Sequence, residues 1–267
     1  MVDQGVYNLA SIPMSSVRRM STGFKYLDLA YGVSIFTDRR GKPVAREAGL
    51  PCGALSLWAG EPGVGKSRLC VGVAARMNRA GHRVLYFQNE ASLHEFRQWT
   101  AAQVVNPRTF LVSNFTSLQD QVKAVRKHKP NLVIIDSLNM IENSQSPAFA
   151  RQVVESYKKA VAAIGGHAIL VGHLNKAGSV KGNNDLQYLV DVQCEMRGVA
   201  GQLTPRQAEA FGADPAAMFY IRFCKNRFGP TSSGGCETYV AFRHAAFGVE
   251  YVTSNLANPF ESEEEGE

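Results

Sequence analysis

Gly60-Glu61-Pro62-Gly63-Val64-Gly65-Lys66-Ser67 stands between the apolar run Ala54-Leu55-Ser56-Leu57-Trp58 and an alternating, helix-like run from Leu69 to Met77. An apolar strand, a glycine-rich loop and a helix in that order decide the fold class. Glycines let consecutive backbone N–H groups curl around phosphate oxygens, while a lysine and a hydroxyl at the end of the loop reach the β/γ-phosphates and Mg²⁺. The helix that opens at Lys66 adds the positive end of its dipole. ATP with Mg²⁺ is therefore the expected cofactor, cradled by Gly60 to Ser67 and the next residue, Arg68, with Ser67 on the metal. The competing reading is a glycine-rich turn with no ligand.

Outward from the loop, strand-like and helix-like periods alternate. Arg83 to Phe87, Thr109 to Ser113, Asn131 to Asp136 and His167 to Gly172 read as strands, and 92–104, Ser117 to Lys127 and 148–164 as helices. Near-continuously apolar strands separated by helices predict an α/β fold of the P-loop type, a mostly parallel sheet covered on both faces. Leu189 to Arg197, Met218 to Cys224 and Glu237 to Phe242 then read as strands added antiparallel to one edge. Residues 1–20 are polar and read as an arm or linker, 21–254 as one ATPase-sized domain, and 255–267 as an acidic tail. Within the domain, Ser21 or Thr22 is placed to cap a short helix, and 32–49 have the composition of an inserted exposed loop or hairpin.

Four aliphatic residues followed by an acid, Leu132 to Asp136, put a carboxylate at a strand end, where it can hold the water shell of Mg²⁺. Glu90 follows another strand and the pair Gln88-Asn89, which brings it to the same sheet edge as a candidate to orient the attacking water. It is also readable as an acid favouring the dipole of the helix that follows. His173 sits just past a strand end, either as a sensor of the γ-phosphate or as a simple strand-end cap.

Lys225-Asn226-Arg227-Phe228-Gly229 places two cations two apart, on one strand face, before a turn. They are either surface charges or, in a ring, groups that reach a neighbour's γ-phosphate and stabilise the charge developing there. The loop after His173 carries glycines and amides with Lys176 and Lys181. Lys176, Ser179, Lys181 and Asn183 are the candidates for contact with a nucleic-acid backbone. Neither this loop nor Leu138 to Phe149 has an aromatic ladder, so no base preference is expected.

Composition narrows the partners. The 267 residues are 45% hydrophobic and 19% charged, with no apolar run long enough to span a bilayer and no signal-peptide core in the first twenty residues. A cytoplasmic protein is expected. The five cysteines are scattered without a Cys-x-x-Cys pair, the pattern of reduced thiols. Formal charge is +6, but Glu261, Glu263, Glu264, Glu265 and Glu267 crowd the end; without them the chain carries +11. Such a body suits a polyanion. The tail reads as a solubilising end or as a mobile competitor for the basic surface.

Taken in order, these motifs resemble the RecA-type ATPase core of the bacterial RadA/Sms recombination proteins, and more distantly DnaB-type helicases and KaiC-like ATPases. Ser21-Thr22-Gly23-Phe24 with Leu27-Asp28, the loop at Gly60, Asn89-Glu90-Ala91-Ser92, Val133 to Ser137, Gly172 to Gly178, Leu189-Val190-Asp191 and Lys225 to Thr231 carry the resemblance, which covers about residues 20–250. It implies Glu90 as catalytic glutamate, Lys225 and Arg227 acting across a subunit interface, and a homohexamer moving on single-stranded DNA in recombination, repair or replication, with a protein loader as a further partner. The family's four-cysteine zinc element and Lon-like domain are not seen in this sequence, which brings a minimal viral or plasmid-type motor into view. The alternative is a KaiC-like regulatory or assembly ATPase acting on a protein partner.

Overall fold

The computed structural model describes residues 17–38, 40–104, 106–142, 147–174, 186–199, 214–230, 232–233, 236–246 and 248–254. The first of these already belong to the body. β1 (Arg19–Met20), α1 (Lys25–Tyr31), β2 (Val33–Thr37), β3 (Pro43–Ala48) and β4 (Leu50–Pro51) form the approach to the core. β1 pairs with β4, and β2 with β3 as an antiparallel hairpin, so the 32–49 segment is a hairpin. Arg19 and Met20, expected in a polar arm, are buried. The Arg19 guanidinium donates to Ser34 Oγ, to the carbonyls of Tyr31 and Gly49, and to the carbonyl of Phe228 at 2.5 Å, tying hairpin, helix and the late turn together.

Neither Ser21 nor Thr22 caps α1, whose N-cap is Phe24. Both serve Asp28 instead. Its carboxylate accepts from Ser21 Oγ at 2.5 Å and from the N–H and Oγ1 of Thr22 at 2.7 and 2.6 Å. A short polar side chain close to a buried acid finds a stronger acceptor there than in its own backbone.

The α/β alternation follows: β5 (Leu55–Gly60), α2 (Lys66–Arg79), β6 (Val84–Gln88), α3 (Leu93–Thr100), β7 (Phe110–Ser113), α4 (Leu118–His128), β8 (Leu132–Asp136), α5 (Pro147–Ile164) and β9 (His167–His173). After these come α6 (Leu186–Leu189), β10 (Val192–Gly198), β11 (Met218–Asn226), the small pair β12 (Ser232–Ser233) and β13 (Cys236–Glu237), β14 (Tyr239–Ala245) and β15 (Gly248–Ser254). Nine strands form one sheet in the order β15-β14-β11-β10-β5-β9-β8-β6-β7. The six from β10 to β7 run parallel, and β11, β14 and β15 extend that sheet antiparallel. The strand expected over Leu189 to Arg197 is thus corrected twice: Leu189 ends a helical turn, and the strand that follows pairs parallel with β5.

Side-chain alternation along the strands feeds two cores. In β8, Leu132 and Ile134 join the cluster under α2, whereas Val133 and Ile135 join the cluster under α4 and α5. Helices on both faces explain why β8 needs apolar residues at every position. No helix among the described residues is long and apolar enough to cross a membrane.

The start of β5 is anchored by buried polar groups. Trp58 Nε1 donates to Tyr31 Oη at 2.7 Å, Tyr31 Oη to Ser56 Oγ at 3.1 Å, and Ser56 Oγ lies 2.8 Å from His167 Nε2. His167 Nδ1 lies 2.8 Å from the Pro51 carbonyl. A carbonyl only accepts, so Nδ1 carries the proton, Nε2 accepts from Ser56, and every link runs one way with a neutral imidazole. Burial agrees, pushing the His167 pKa down to about 4.

Candidate active site

The loop after β5 is shaped by left-handed glycines, Gly63 at φ 79° and Gly65 at φ 104°, the latter the N-cap of α2. A Cβ on Gly65 would meet the His244 ring, and one on Gly60 would lie 2.6 Å from the Met196 carbonyl oxygen. Both positions therefore require glycine for space, and Gly65 for its backbone as well.

Lys66, at the first turn of α2, is 6% exposed. Its ammonium donates to the carbonyls of Gly60 at 2.9 Å and Glu61 at 2.7 Å, folding the side chain back over the loop. Burial pushes its pKa down, and the nearby carboxylates of Asp136 and Glu90 act in the opposite direction.

Asp136 ends β8, two strands from β5 across β9, and is 2% exposed. Burial pushes its carboxyl pKa up; hydrogen bonds from Tyr86 and Ser67 oppose the shift. The Tyr86 hydroxyl donates at 2.7 Å from β6. Glu90 lies two residues past the end of β6, and its Oε1 is 3.4 Å from His173 Nε2 at the end of β9. It does not cap α3, which has Ser92 as N-cap and Glu95 completing the reciprocal capping pair. The acid that serves the helix is thus Glu95.

All of these groups sit where parallel strands end, the edge at which open α/β sheets bind ligands. Lys66, Ser67, Arg68, Glu90, Asp136 and His173 share the wall of one cavity of about 1050 Å³. Beside them, Gln88 Oε1, Ser137 Oγ and His173 Nδ1 are buried with no hydrogen-bond partner among the described residues. Tyr86 was not visible as a site residue in sequence, because it sits in an unbroken apolar strand and is recognisable only once β6 is paired with β8.

Lys225 and Arg227 lie elsewhere. Gly60 is level with Met196 and, through it, with Ile221, so the five residues from Ile221 to Asn226 carry β11 roughly 17 Å towards the opposite edge. There Lys225 Nζ donates to the Tyr188 carbonyl at 2.9 Å, and Arg227 Nη1 pairs with Asp191 Oδ1 at 3.3 Å. Asp191 also receives Lys158 Nζ at 2.8 Å and the Leu55 N–H at 3.1 Å. The two cations do not face the phosphate loop of their own chain. Lys176, Ser179, Lys181 and Asn183 fall outside the described residues.

A family model described as AAA domain matches residues 45–179, about half of the chain, and takes in the loop, Glu90, Asp136 and His173. The chain belongs to that family. Among curated proteins, this chain is similar to the DNA repair protein RadA of Mycolicibacterium smegmatis, 29% identical over 85% of this chain and 45% of that protein. It is 28% identical to the RadA of Aquifex aeolicus, over 80% and 43% of the two chains, and to that of Chlamydia trachomatis over 75% and 42%. The matches extend beyond the AAA domain model to most of the chain, which has a RadA-type, RecA-fold ATPase core. The chain spans somewhat under half the length of these relatives.

Proposed function

We propose that this chain is an ATPase whose turnover is coupled to single-stranded DNA, working as a ring-forming translocase or helicase in recombination, repair or replication. The observation that carries this reading is the meeting of Lys66, Ser67, Asp136, Glu90 and His173 on one cavity wall at the strand ends. In it, the N–H groups of the Gly60–Gly65 loop and the first turn of α2 cradle the phosphates, with Lys66 released from the Gly60 and Glu61 carbonyls onto phosphate oxygens. Ser67 and Asp136, near enough for the hydroxyl to oppose the upward shift of the carboxyl pKa, are the hard oxygen donors that would hold Mg²⁺. The chemistry such an ion would supply at these two residues is neutralisation of charge on the phosphate oxygens.

Glu90 is the acceptor that orients water and takes its proton, and His173, 3.4 Å away, passes the state of that carboxylate to the loop that follows β9. Lys225 and Arg227 complete the site of a second copy, a role favoured by their place at the far edge of their own sheet. Lys176, Ser179, Lys181 and Asn183 are proposed contacts to the DNA backbone. The relatives are named as DNA repair proteins, which supports DNA as the polymer.

The test is steady-state ATP hydrolysis with and without single-stranded DNA, with Glu90→Gln as control. Strong stimulation by DNA that disappears in the variant is expected. Turnover indifferent to DNA would instead indicate a switch acting on a protein partner.

A further inference from the structure

None of the described residues of the β2–β3 hairpin lines the cavity. The two strands pair from Val33 opposite Ala48 out to Thr37 opposite Pro43. Pro43, Val44, Ala45 and Arg46 follow one another along β3, and all four are exposed. Successive residues of a strand face opposite sides, so the distal half of the hairpin meets solvent on both faces.

Both ends of this projection are pinned. At the base, the Gly49 N–H donates to the Gly32 carbonyl at 3.3 Å, beside the bonds that Arg19 makes to Ser34 and to three carbonyls. At the tip, the Asp38 N–H donates to the Lys42 carbonyl at 2.9 Å, and the Asp38 carboxylate accepts from the N–H groups of Arg40 at 2.8 Å and Lys42 at 3.0 Å. A two-stranded hairpin is marginal alone, and these bonds hold it extended from the body.

Its charge is one-sided. The segment 33–48 has four cations, Arg39, Arg40, Lys42 and Arg46, and two acids, Asp38 and Glu47. Asp38 is engaged by the turn amides, and Glu47 pairs with Arg18 at 2.8 Å. The Arg40 and Lys42 side chains are exposed and form no ion pair among the described residues. Phe36, the one aromatic residue of the segment, has the Arg18 guanidinium over its ring, 5.3 Å from the centroid.

We propose that the β2–β3 hairpin is an arm that enters the major groove of duplex DNA and sets Arg40 and Lys42 against the phosphates of its walls. This rests on DNA being the polymer of the proposed function and asks nothing of the phosphate loop. Paired strands lie about 4.8 Å apart and five residues reach about 17 Å, so the ribbon fits a groove roughly 12 Å wide and about 8.5 Å deep. A single strand would call for aromatic faces on which bases stack, and the one ring here is taken by Arg18. Contacts from cations to phosphates carry no sequence information, so the arm holds any B-form duplex.

The test is fluorescence anisotropy of a labelled DNA duplex with the full chain over a series of salt concentrations. Arg40→Ala combined with Lys42→Ala leaves the backbone bonds of the turn in place. It should lower the slope of log affinity against log salt by about 1.8, the release of counterions from two phosphates. Arg40→Lys with Lys42→Arg should keep the parental slope. Affinity for single-stranded DNA should not change in the alanine variant. Neither should affinity for duplex RNA, whose major groove is too narrow for a ribbon. An unchanged duplex slope, the same loss for single strands or duplex RNA, or no duplex binding by the unaltered chain would each overturn the proposal. A changed assembly state with an unchanged slope would overturn it too, and assign the hairpin to a contact between copies. Hydrolysis indifferent to single-stranded DNA in the unaltered chain would count against the proposed function, while the duplex slope still decides the role of the hairpin.

Discussion

The Tyr86 hydroxyl and the Asp136 carboxylate meet at 2.7 Å, one from the interior of β6 and the other from the last residue of β8. Tyr86 is fully buried, and its ring packs on Phe96 of α3 at 4.7 Å. The acid proposed for the metal is therefore supported from within the core.

Removing that hydroxyl should be felt first as lost stability. A hydrogen bond to a charged, buried carboxylate contributes about 1.5–3 kcal/mol, so Tyr86→Phe should lower the unfolding free energy by about 2 kcal/mol near neutral pH. The deficit should shrink in acid, where a protonated Asp136 depends less on the donor. Urea denaturation at two pH values measures both effects, and equal stability of the two proteins near neutral pH would show that the hydroxyl contributes nothing.

Gly65→Ala tests the shape of the loop. The added methyl would run into His244 from a left-handed backbone position, a strain of about 1–2 kcal/mol before any clash. A lowered melting temperature and loss of nucleotide binding are expected. Adding His244→Ala should recover part of the melting temperature by removing the clash, but not all of it, because the backbone strain remains.

Much of this arrangement was legible before any coordinates. The loop at Gly60, the acid closing β8 and the alternation of strands and helices are local patterns, and local patterns survive folding. The direction of β10 is not local: it is set by pairing with β5, and nothing in Val192 to Gly198 says which neighbour it takes. Thr22 looked like a helix cap because a cap and a ligand for a buried carboxylate need the same side chain. The separation of Lys225 and Arg227 from the phosphate loop was also hidden. Spacing along one strand gives a shared face but not the sheet edge, and a register shift opposite Cys224 interrupts that alternation as well.

Subunit mixing tests the proposed sharing of sites. Lys66→Ala and Arg227→Ala proteins should each lack turnover, the first for want of a phosphate ligand and the second for want of the neighbour's cation. Mixed and reassembled, they should regain a measurable fraction, because an intact loop from one variant then meets an intact Arg227 from the other. Absence of recovery in a mixed assembly would place Arg227 in a purely structural role with Asp191.

Two buried groups should set opposing pH slopes on stability. Asp28 is held up at about 6 by burial, so the folded state binds more protons than the unfolded one above the ordinary carboxylate value, and stability falls as pH rises from about 4 to 6. His167 is held down to about 4, so the unfolded state binds more protons, and stability rises between about 4 and 6.5. Each shift of about two units corresponds to roughly 3 kcal/mol at full extent. Asp28→Asn should remove the falling limb alone. The difference in unfolding free energy between variant and parent should therefore grow by up to about 3 kcal/mol from pH 4 to 7, read by urea denaturation across that range; a constant difference would contradict the assignment.

β5 is held at its far end by Asp191, through the Leu55 N–H, and by the one-way chain through Ser56 to the Pro51 carbonyl, with β9 and β10 on either side. Its amides are consequently expected among the last in the molecule to exchange with solvent deuterium, opening only with the whole domain. Protection should drop sharply within a few residues after Gly60, so the boundary between the most persistent and the most readily remodelled backbone falls inside a single loop.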